Sequence, residues 1–165
     1  MSWPFFHRSL EAKMQIKLCE QVFNPWQEIE QYQASLTHLA GKYGATGVFV
    51  GSMRDFNQGD DVTSMYLEHY PGMTEKQLQQ IVEQAQLQWS LLDSLVIHRI
   101  GEVNPPDVLV LVAVWSAHRG DAFDASRYIM EQLKSRAPFW KKETLVSGQH
   151  RWVEKNTTGY QQESR

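Results

Sequence analysis

Residues 108–116 read VLVLVAVWS, a stretch built almost wholly of valine, leucine and alanine with no charge in it. It is too short for a buried helix of ordinary length and too uniformly apolar for a strand with one wet face. It therefore reads as a strand in the middle of a sheet, covered on both sides. Working outward, Asn104-Pro105-Pro106-Asp107 marks a turn before it, and SLVIHRIG at 94–101 forms the strand that leads into that turn. On the other side, Ser116 is followed by His118-Arg119 and then by a helix over 121–136. Ala122, Phe123, Ser126, Ile129, Met130 and Leu133 are its expected inward face, and Pro138 ends it. Residues 139–146 and 149–154 flank Ser147-Gly148 and predict a closing hairpin.

Toward the N-terminus, Asn24-Pro25 opens a short helix carrying Trp26, Ile29, Tyr32 and Leu36. ATGVFVGSM at 45–53 is a buried strand by composition, and RDFNQGDD after it holds a turn signal at Gln58-Gly59. VTSMYLEH at 62–69 is a further strand, antiparallel to the preceding one if the loop is a hairpin. Pro71-Gly72 breaks it. Thr74 with Gln77 three residues on predicts a capped helix that buries Leu78, Ile81, Val82, Ala85 and Trp89. The order is helix, two strands, helix, two strands, helix, hairpin, which predicts an α+β domain of two layers with a mostly antiparallel sheet. The expected boundaries are an N-terminal extension at 1–13, a single domain at 14–155 and a tail at 156–165.

Composition narrows the function. The chain has 165 residues, 42% hydrophobic and 21% charged, a balance suited to one globular core. Its formal net charge of −3 provides no global field for nucleic acid, so any anion site must be a local cluster. Cys19 is the single cysteine, which excludes a disulfide framework and a multi-cysteine metal site; it reads as a small apolar residue. No apolar run reaches the roughly 20 residues that span a bilayer. MSWPFFHRSLEAKM lacks the continuous apolar core of a signal peptide, and a reduced cytoplasmic setting is the expectation.

The basic residues are unevenly placed. Arg54 stands at a strand end, and His118-Arg119 lie between the most apolar strand and the helix after it. Lys134, Arg136, Lys141 and Lys142 bracket Ala137-Pro138-Phe139-Trp140, and Arg151 lies in the final hairpin. Strand ends and helix starts are where a scaffold presents its chemistry, so together these residues could form a phosphate pocket. Taken singly, each has a plainer reading as a solvated or capping residue, and Lys134 fits a snorkelling position beside Met130. His69 and His98 fall in strand patterns and read as sheet residues, with no metal-ligand spacing around them. The Gly41, Gly44, Gly47 series matches neither a Walker loop nor a dinucleotide fingerprint.

LEHYPGMTEK (67–76), IHRIGE (97–102), SAHR (116–119), LKSRAPFWKKE (133–143) and RWVE (151–154) occur in this order. Together they resemble the molybdopterin synthase large, catalytic subunit family over about Met14 to Lys155. The resemblance implies an α/β-hammerhead-type fold and a cytoplasmic sulfurtransferase of molybdenum cofactor biosynthesis, with no metal and no cofactor of its own. It implies a homodimer at the centre of a heterotetramer, each end binding a small ubiquitin-like sulfur-carrier subunit whose Gly-Gly tail ends in a thiocarboxylate. The substrate implied is cyclic pyranopterin monophosphate, and two successive sulfur transfers give the dithiolene molybdopterin. The family's two functional lysines fall on Lys134 and Lys141. Its substrate-contacting positions fall on Ser52, Met53, Arg54, His118, Arg119, Lys141, Lys142 and Glu143, with Arg151 a further basic pocket residue. Ser52-Met53 depart from the basic and β-branched residues common there, and Arg127 is not carried over.

The chemistry is consistent with that resemblance. A thiocarboxylate and a cyclic phosphate are both anions, and fixed cations in a partly desolvated pocket offset their repulsion. Crowded cations should also lower the pKa values of Lys134 and Lys141. Sulfur arriving already activated on another protein explains why no placed cysteine is needed. Three other readings compete: a carrier-independent phosphoryl or acyl transferase, a non-catalytic dimeric module that binds a pterin or phosphate for regulation, and, more weakly, an RNA-binding sheet. A cavity joining Lys134 and Lys141 to Arg54 or His118 is the geometric test of the whole set.

Overall fold

The computed structural model describes residues 12–154 together with Asn156 and Gly159. The elements in chain order are β1 (Lys13–Cys19), α1 (Pro25–Ser35), β2 (Ala45–Ser52), β3 (Phe56–Asn57), β4 (Asp60–His69), α2 (Met73–Gln88), β5 (Leu91–Arg99), β6 (Gly101–Val103), β7 (Val108–Ser116), α3 (Arg119–Arg136), β8 (Phe139–Leu145) and β9 (His150–Trp152). They build two sheets. The first has the order β1-β5-β7-β2, with β1 parallel to β5 and the remaining pairs antiparallel. The second runs β3-β4-β8-β9, with β6 also paired to β4. The architecture is α+β, as expected.

The VLVLVAVWS strand is β7, flanked by β5 and β2, and buried from Val110 to Ser116. Its even-numbered residues Val110, Val112 and Val114 pack under α2 and α3 with Leu78, Ile81, Ile129 and Leu133. Leu111, Ala113 and Trp115 face the other way into a cluster closed by Leu36 and Leu39 beyond α1. Trp115 Nε1 donates to Gln33 (3.1 Å) and the Tyr32 hydroxyl to Asp93 (2.6 Å), so the α1 layer is keyed by polar bonds at its edges. At α1 the Asn24 side chain accepts from the amides of Trp26 and Gln27, the cap that the Asn-Pro pair predicts.

Several expectations need correction. β1 was absent from the expected order, although Met14, Ile16 and Leu18 alternate and pack on the α2 side of the core. It opens at Lys13, inside the stretch assigned to an extension. The strands at 45–53 and 62–69 are not a hairpin: β2 pairs with β7, while β4 belongs to the second sheet. The Gln58-Gly59 turn is real but joins β3 to β4. The strand at 94–101 divides at Ile100, where Gly101 adopts φ +75, a conformation open to glycine, and turns the chain from the first sheet into β6 of the second. Thr74 lies inside α2, its hydroxyl accepting from the Tyr70 amide (3.0 Å); the Glu75 carboxylate accepts from the Gly72 amide (2.7 Å), and Gln77 takes no part. Phe123 is 69% exposed, because the sheet-facing arc of α3 is carried by Ala122, Ser126, Ile129 and Met130.

The helix after β7 crosses both β7 and β2. Close approach at β2 depends on Gly47, where a Cβ would stand 2.4 Å from the Ala122 carbonyl oxygen. This contact fixes α3 on the sheet, and so fixes where its last turn delivers Lys134.

Candidate active site

Three chain segments distant in sequence converge where the two sheets meet. The end of β2 supplies Ser52, Met53 and Arg54; the last turn of α3 supplies Lys134; and β8 supplies Lys141 and Glu143. They surround a cavity of about 150 Å³ floored by Val62, Met65 and Leu109. β8 presents Lys141 and Glu143 together because residues two apart on a strand share a face. Pro138 ends α3 and starts β8 within a few residues, which brings Lys134 and Lys141 to one wall.

Burial pushes the Lys141 ammonium below the ordinary lysine pKa, and the neighbouring Lys134 charge lowers it further, while Glu143 opposes both. Lys141 Nζ donates to the Asn156 side-chain oxygen (2.9 Å), and the Asn156 amide donates in turn to the Lys134 backbone carbonyl. Glu143 is only 4% exposed. Its carboxylate accepts from Asn57 Nδ2 (2.6 Å) and from Arg151 Nε (2.8 Å). Arg151 also bonds Asp60 (2.6 Å) and the Asn57 carbonyl (2.9 Å), and its pKa is raised, first by Glu143 and then by Asp60. The Glu143 charge is thus engaged by Arg151 behind the wall, which leaves the cavity itself cationic. Arg54 lies at the rim with its guanidinium 4.7 Å from the Phe56 ring centroid.

Ser52, Met53, Arg54, Lys134, Lys141 and Glu143 are therefore brought together, and four other candidates are not among the cavity's lining. Lys142 points from the opposite face of β8, its ammonium 5.7 Å from the Trp152 ring centroid, because adjacent strand residues face opposite ways. Arg151 is not in the lining but bonds two residues that are, Glu143 and Asn57. His118 and Arg119 are exposed at the N-terminal end of α3, some fifteen residues before Lys134, or about 22 Å along a helix axis. Asn57 and Asn156 were missed by sequence reasoning. Asn57 lies in a loop read only as a turn, and Asn156 lies in the segment read as a tail.

His98 is buried, its ring stacked 3.9 Å from that of Phe139 and its Nδ1 2.7 Å from the Arg99 carbonyl oxygen. Burial lowers its pKa to about 4. His69 is half-buried at the end of β4. Among the described residues no three His, Cys, Asp or Glu side chains gather as a metal site, and no helix is long and apolar enough to cross a membrane.

A family model described as MoaE protein matches residues 22–136. The molybdopterin synthase catalytic subunit of Haemophilus ducreyi is 54% identical over 119 residues, 72% of this chain and 78% of that protein. The subunit of the same name from Ralstonia nicotianae is 49% identical over 143 residues, 87% of this chain and 78% of that one. Among solved structures, the molybdopterin biosynthesis MoaE protein from Burkholderia ambifaria superposes with a TM-score of 0.71 at 41% identity, covering 88% of this chain and 92% of that one. Molybdopterin synthase from Staphylococcus aureus gives a TM-score of 0.71 at 32% identity, covering 82% and 94%.

Proposed function

This chain belongs to the MoaE protein family, and from that premise we propose that its cationic cavity is the sulfur-transfer site of a molybdopterin synthase catalytic subunit. The proposed substrate is cyclic pyranopterin monophosphate, and the proposed sulfur donor is the thiocarboxylate at the Gly-Gly end of a small carrier subunit. Two carriers bind in succession, and the product is the dithiolene. The catalytic unit is one domain that opens with β1 at Lys13 and runs to about residue 155, and it works in the cytoplasm as a homodimer within a heterotetramer.

The observation that carries this reading is the convergence of Lys134 and Lys141 with Arg54 on one cavity, while Glu143, the only acid among the described residues of its wall, is held by Arg151. Two anionic reactants repel each other, and cations fixed before they arrive offset that repulsion without reorganisation. Arg54 suits phosphate oxygens at the rim. Lys134 acts at the carrier's acyl carbon or shuttles its proton, and Lys141 offsets the negative charge on the substrate. The lowered pKa of Lys141 brings its neutral amine within reach nearer to physiological pH than an exposed lysine allows. Ser52 and Met53 shape the β2 side of the cavity, and Glu143 with Arg151 holds its far wall.

The test is to mix the protein with thiocarboxylated carrier and cyclic pyranopterin monophosphate and to assay the dithiolene. Product is expected from the wild type. Sulfur transfer at the wild-type rate by Lys134→Ala or Lys141→Ala would refute the roles assigned to these lysines.

A further inference from the structure

The two lysines of the cavity ride on different sheets. Lys134 belongs to α3, which lies on β2 and β7 of the first sheet, and Lys141 belongs to β8 of the second. Their separation is therefore set by how the sheets are joined, and their like charges push that joint apart. Of the ring pairs among the described residues, one spans the junction. His98, near the end of β5, stacks on Phe139, the first residue of β8, with centroids 3.9 Å apart and planes 11° from parallel. Phe139 also sits in the turn between the lysines. Its amide donates to the Ala137 carbonyl (2.9 Å), and the Ala137 amide donates to the Leu133 carbonyl (3.3 Å) beside Lys134. A ring held at 139 thus holds the last turn of α3 and the start of β8 at once.

Packing alone does not call for histidine at this place. His98 is 8% exposed, beside the aliphatic Val110 of β7, where a hydrocarbon side chain would fill the space without desolvating a polar ring. The imidazole adds a seat for itself. Its Nδ1 lies 2.7 Å from the Arg99 carbonyl oxygen, which can only accept, so Nδ1 carries the hydrogen and donates. That bond settles the plane on which Phe139 lies.

We propose that His98 is a positioning residue of the cavity: its ring holds Phe139 and thereby sets Lys141 in place against Lys134. This rests on the sulfur-transfer reading for its consequence in catalysis, and on the stack for its geometry. Lys141 follows Phe139 by two residues, about 7 Å along a strand, and shares its face of β8. A shift of the first ring therefore carries to the ammonium. Reacting groups must be held to within a fraction of an ångström by the packing and hydrogen bonds behind them, and His98 provides both.

Two substitutions separate its two contacts. His98→Phe keeps a ring for the stack and loses the donor to Arg99. His98→Asn keeps an amide donor near the place of Nδ1 and loses the ring. The first readout is the Lys141 pKa in the full-length protein, followed by NMR on lysine labelled at Cε and identified by the signal that Lys141→Met removes. The charges facing Lys141 are Lys134 from α3, Arg54 from the end of β2 and Glu143 from β8, and none of them is altered. The Lys141 pKa is expected to rise in His98→Asn, as the ammonium gains water and distance from Lys134, and to stay near the wild-type value in His98→Phe. A packing defect confined to position 98 would lower stability without moving Lys141. The second readout is kcat/KM for dithiolene formation, expected to fall about 10- to 100-fold in His98→Asn and far less in His98→Phe.

Wild-type values in His98→Asn overturn the proposal. So does equal impairment of the two variants, or greater impairment of His98→Phe, because the ring would then not be what matters. Should either variant fail to fold, Phe139→Leu removes the same stack from its half-buried partner. It is expected to raise the Lys141 pKa and lower the rate as His98→Asn does, and wild-type values there overturn the proposal. If the wild type makes no dithiolene at all, the sulfur-transfer reading fails, while the lysine titration still judges the stack.

Discussion

The two faces of β8 carry the same charge one residue apart and give it opposite circumstances. Lys141 faces the cavity, partly desolvated, with Lys134 close enough to depress its pKa and with Asn156 on its ammonium. Lys142, also half-buried, faces the other way over Trp152, among Tyr66, Glu68 and Glu102. A sequence that reads KK shows two cations, but the strand's alternation leaves one of them in the site. Charge density in a pocket is thus decided by the period of the backbone and by burial, because a solvated ammonium is screened and a buried one is not.

The sharpest way to break this contrast is kinetic. Lys141→Ala or Lys134→Ala is expected to lower dithiolene formation about 10²–10³-fold, the usual loss when a fixed charge-stabilising group is removed from a site. Lys142→Ala should stay within about threefold, as for a charge that lies outside the cavity. Equal losses at 141 and 142 would erase the distinction between the faces.

The next largest effect concerns acid. His98 stacks on Phe139, the first residue of the cavity face of β8, and its pKa is lowered to about 4. A base whose folded pKa lies below its unfolded value binds fewer protons when folded, so stability falls as pH drops from about 6.5 toward 4. The loss is on the order of 3 kcal/mol by pH 4, and His98→Gln should flatten that part of a denaturant-unfolding profile against pH. A wild-type profile level over this window would show that His98 is not held neutral.

Lys141 gives a smaller effect of related sign. Its folded pKa lies below the unfolded value, so its ammonium opposes folding below the folded pKa and the opposition fades as pH rises toward the unfolded one. Lys141→Met is therefore expected to raise Tm at pH 7 and to lose that advantage near pH 10, while abolishing activity. Lys142→Met should leave Tm within about a degree or two at both pH values, as surface substitutions generally do. A fall in Tm for Lys141→Met would mean that the bond to Asn156 outweighs desolvation.

Much of the fold was legible because local pattern and tertiary need agree. The apolar length of 108–116 places β7 in the middle of a sheet, the Asn24 cap starts α1, and the 3.6-residue spacing of Leu78, Ile81, Val82 and Ala85 sets the buried face of α2. β1 was legible in its Met14, Ile16, Leu18 alternation but is short and interrupted by lysines. Its parallel partner β5 lies about eighty residues away, a pairing that no local signal encodes. The same limit applies to β2, whose partner is β7 and not the strand that follows it.

The sequence by itself determined the family, the helices, the central strand and the supply of basic residues, because motifs, caps and hydrophobic periods are properties of neighbouring residues. Only the tertiary structure decided which of those bases share a cavity. It set Lys134 beside Lys141 across Pro138, turned Lys142 away, engaged Glu143 with Arg151, and carried His118 and Arg119 to the far end of α3. Side-chain direction and long-range pairing fix these relations, and both are settled only when the two sheets and the helices over them pack together.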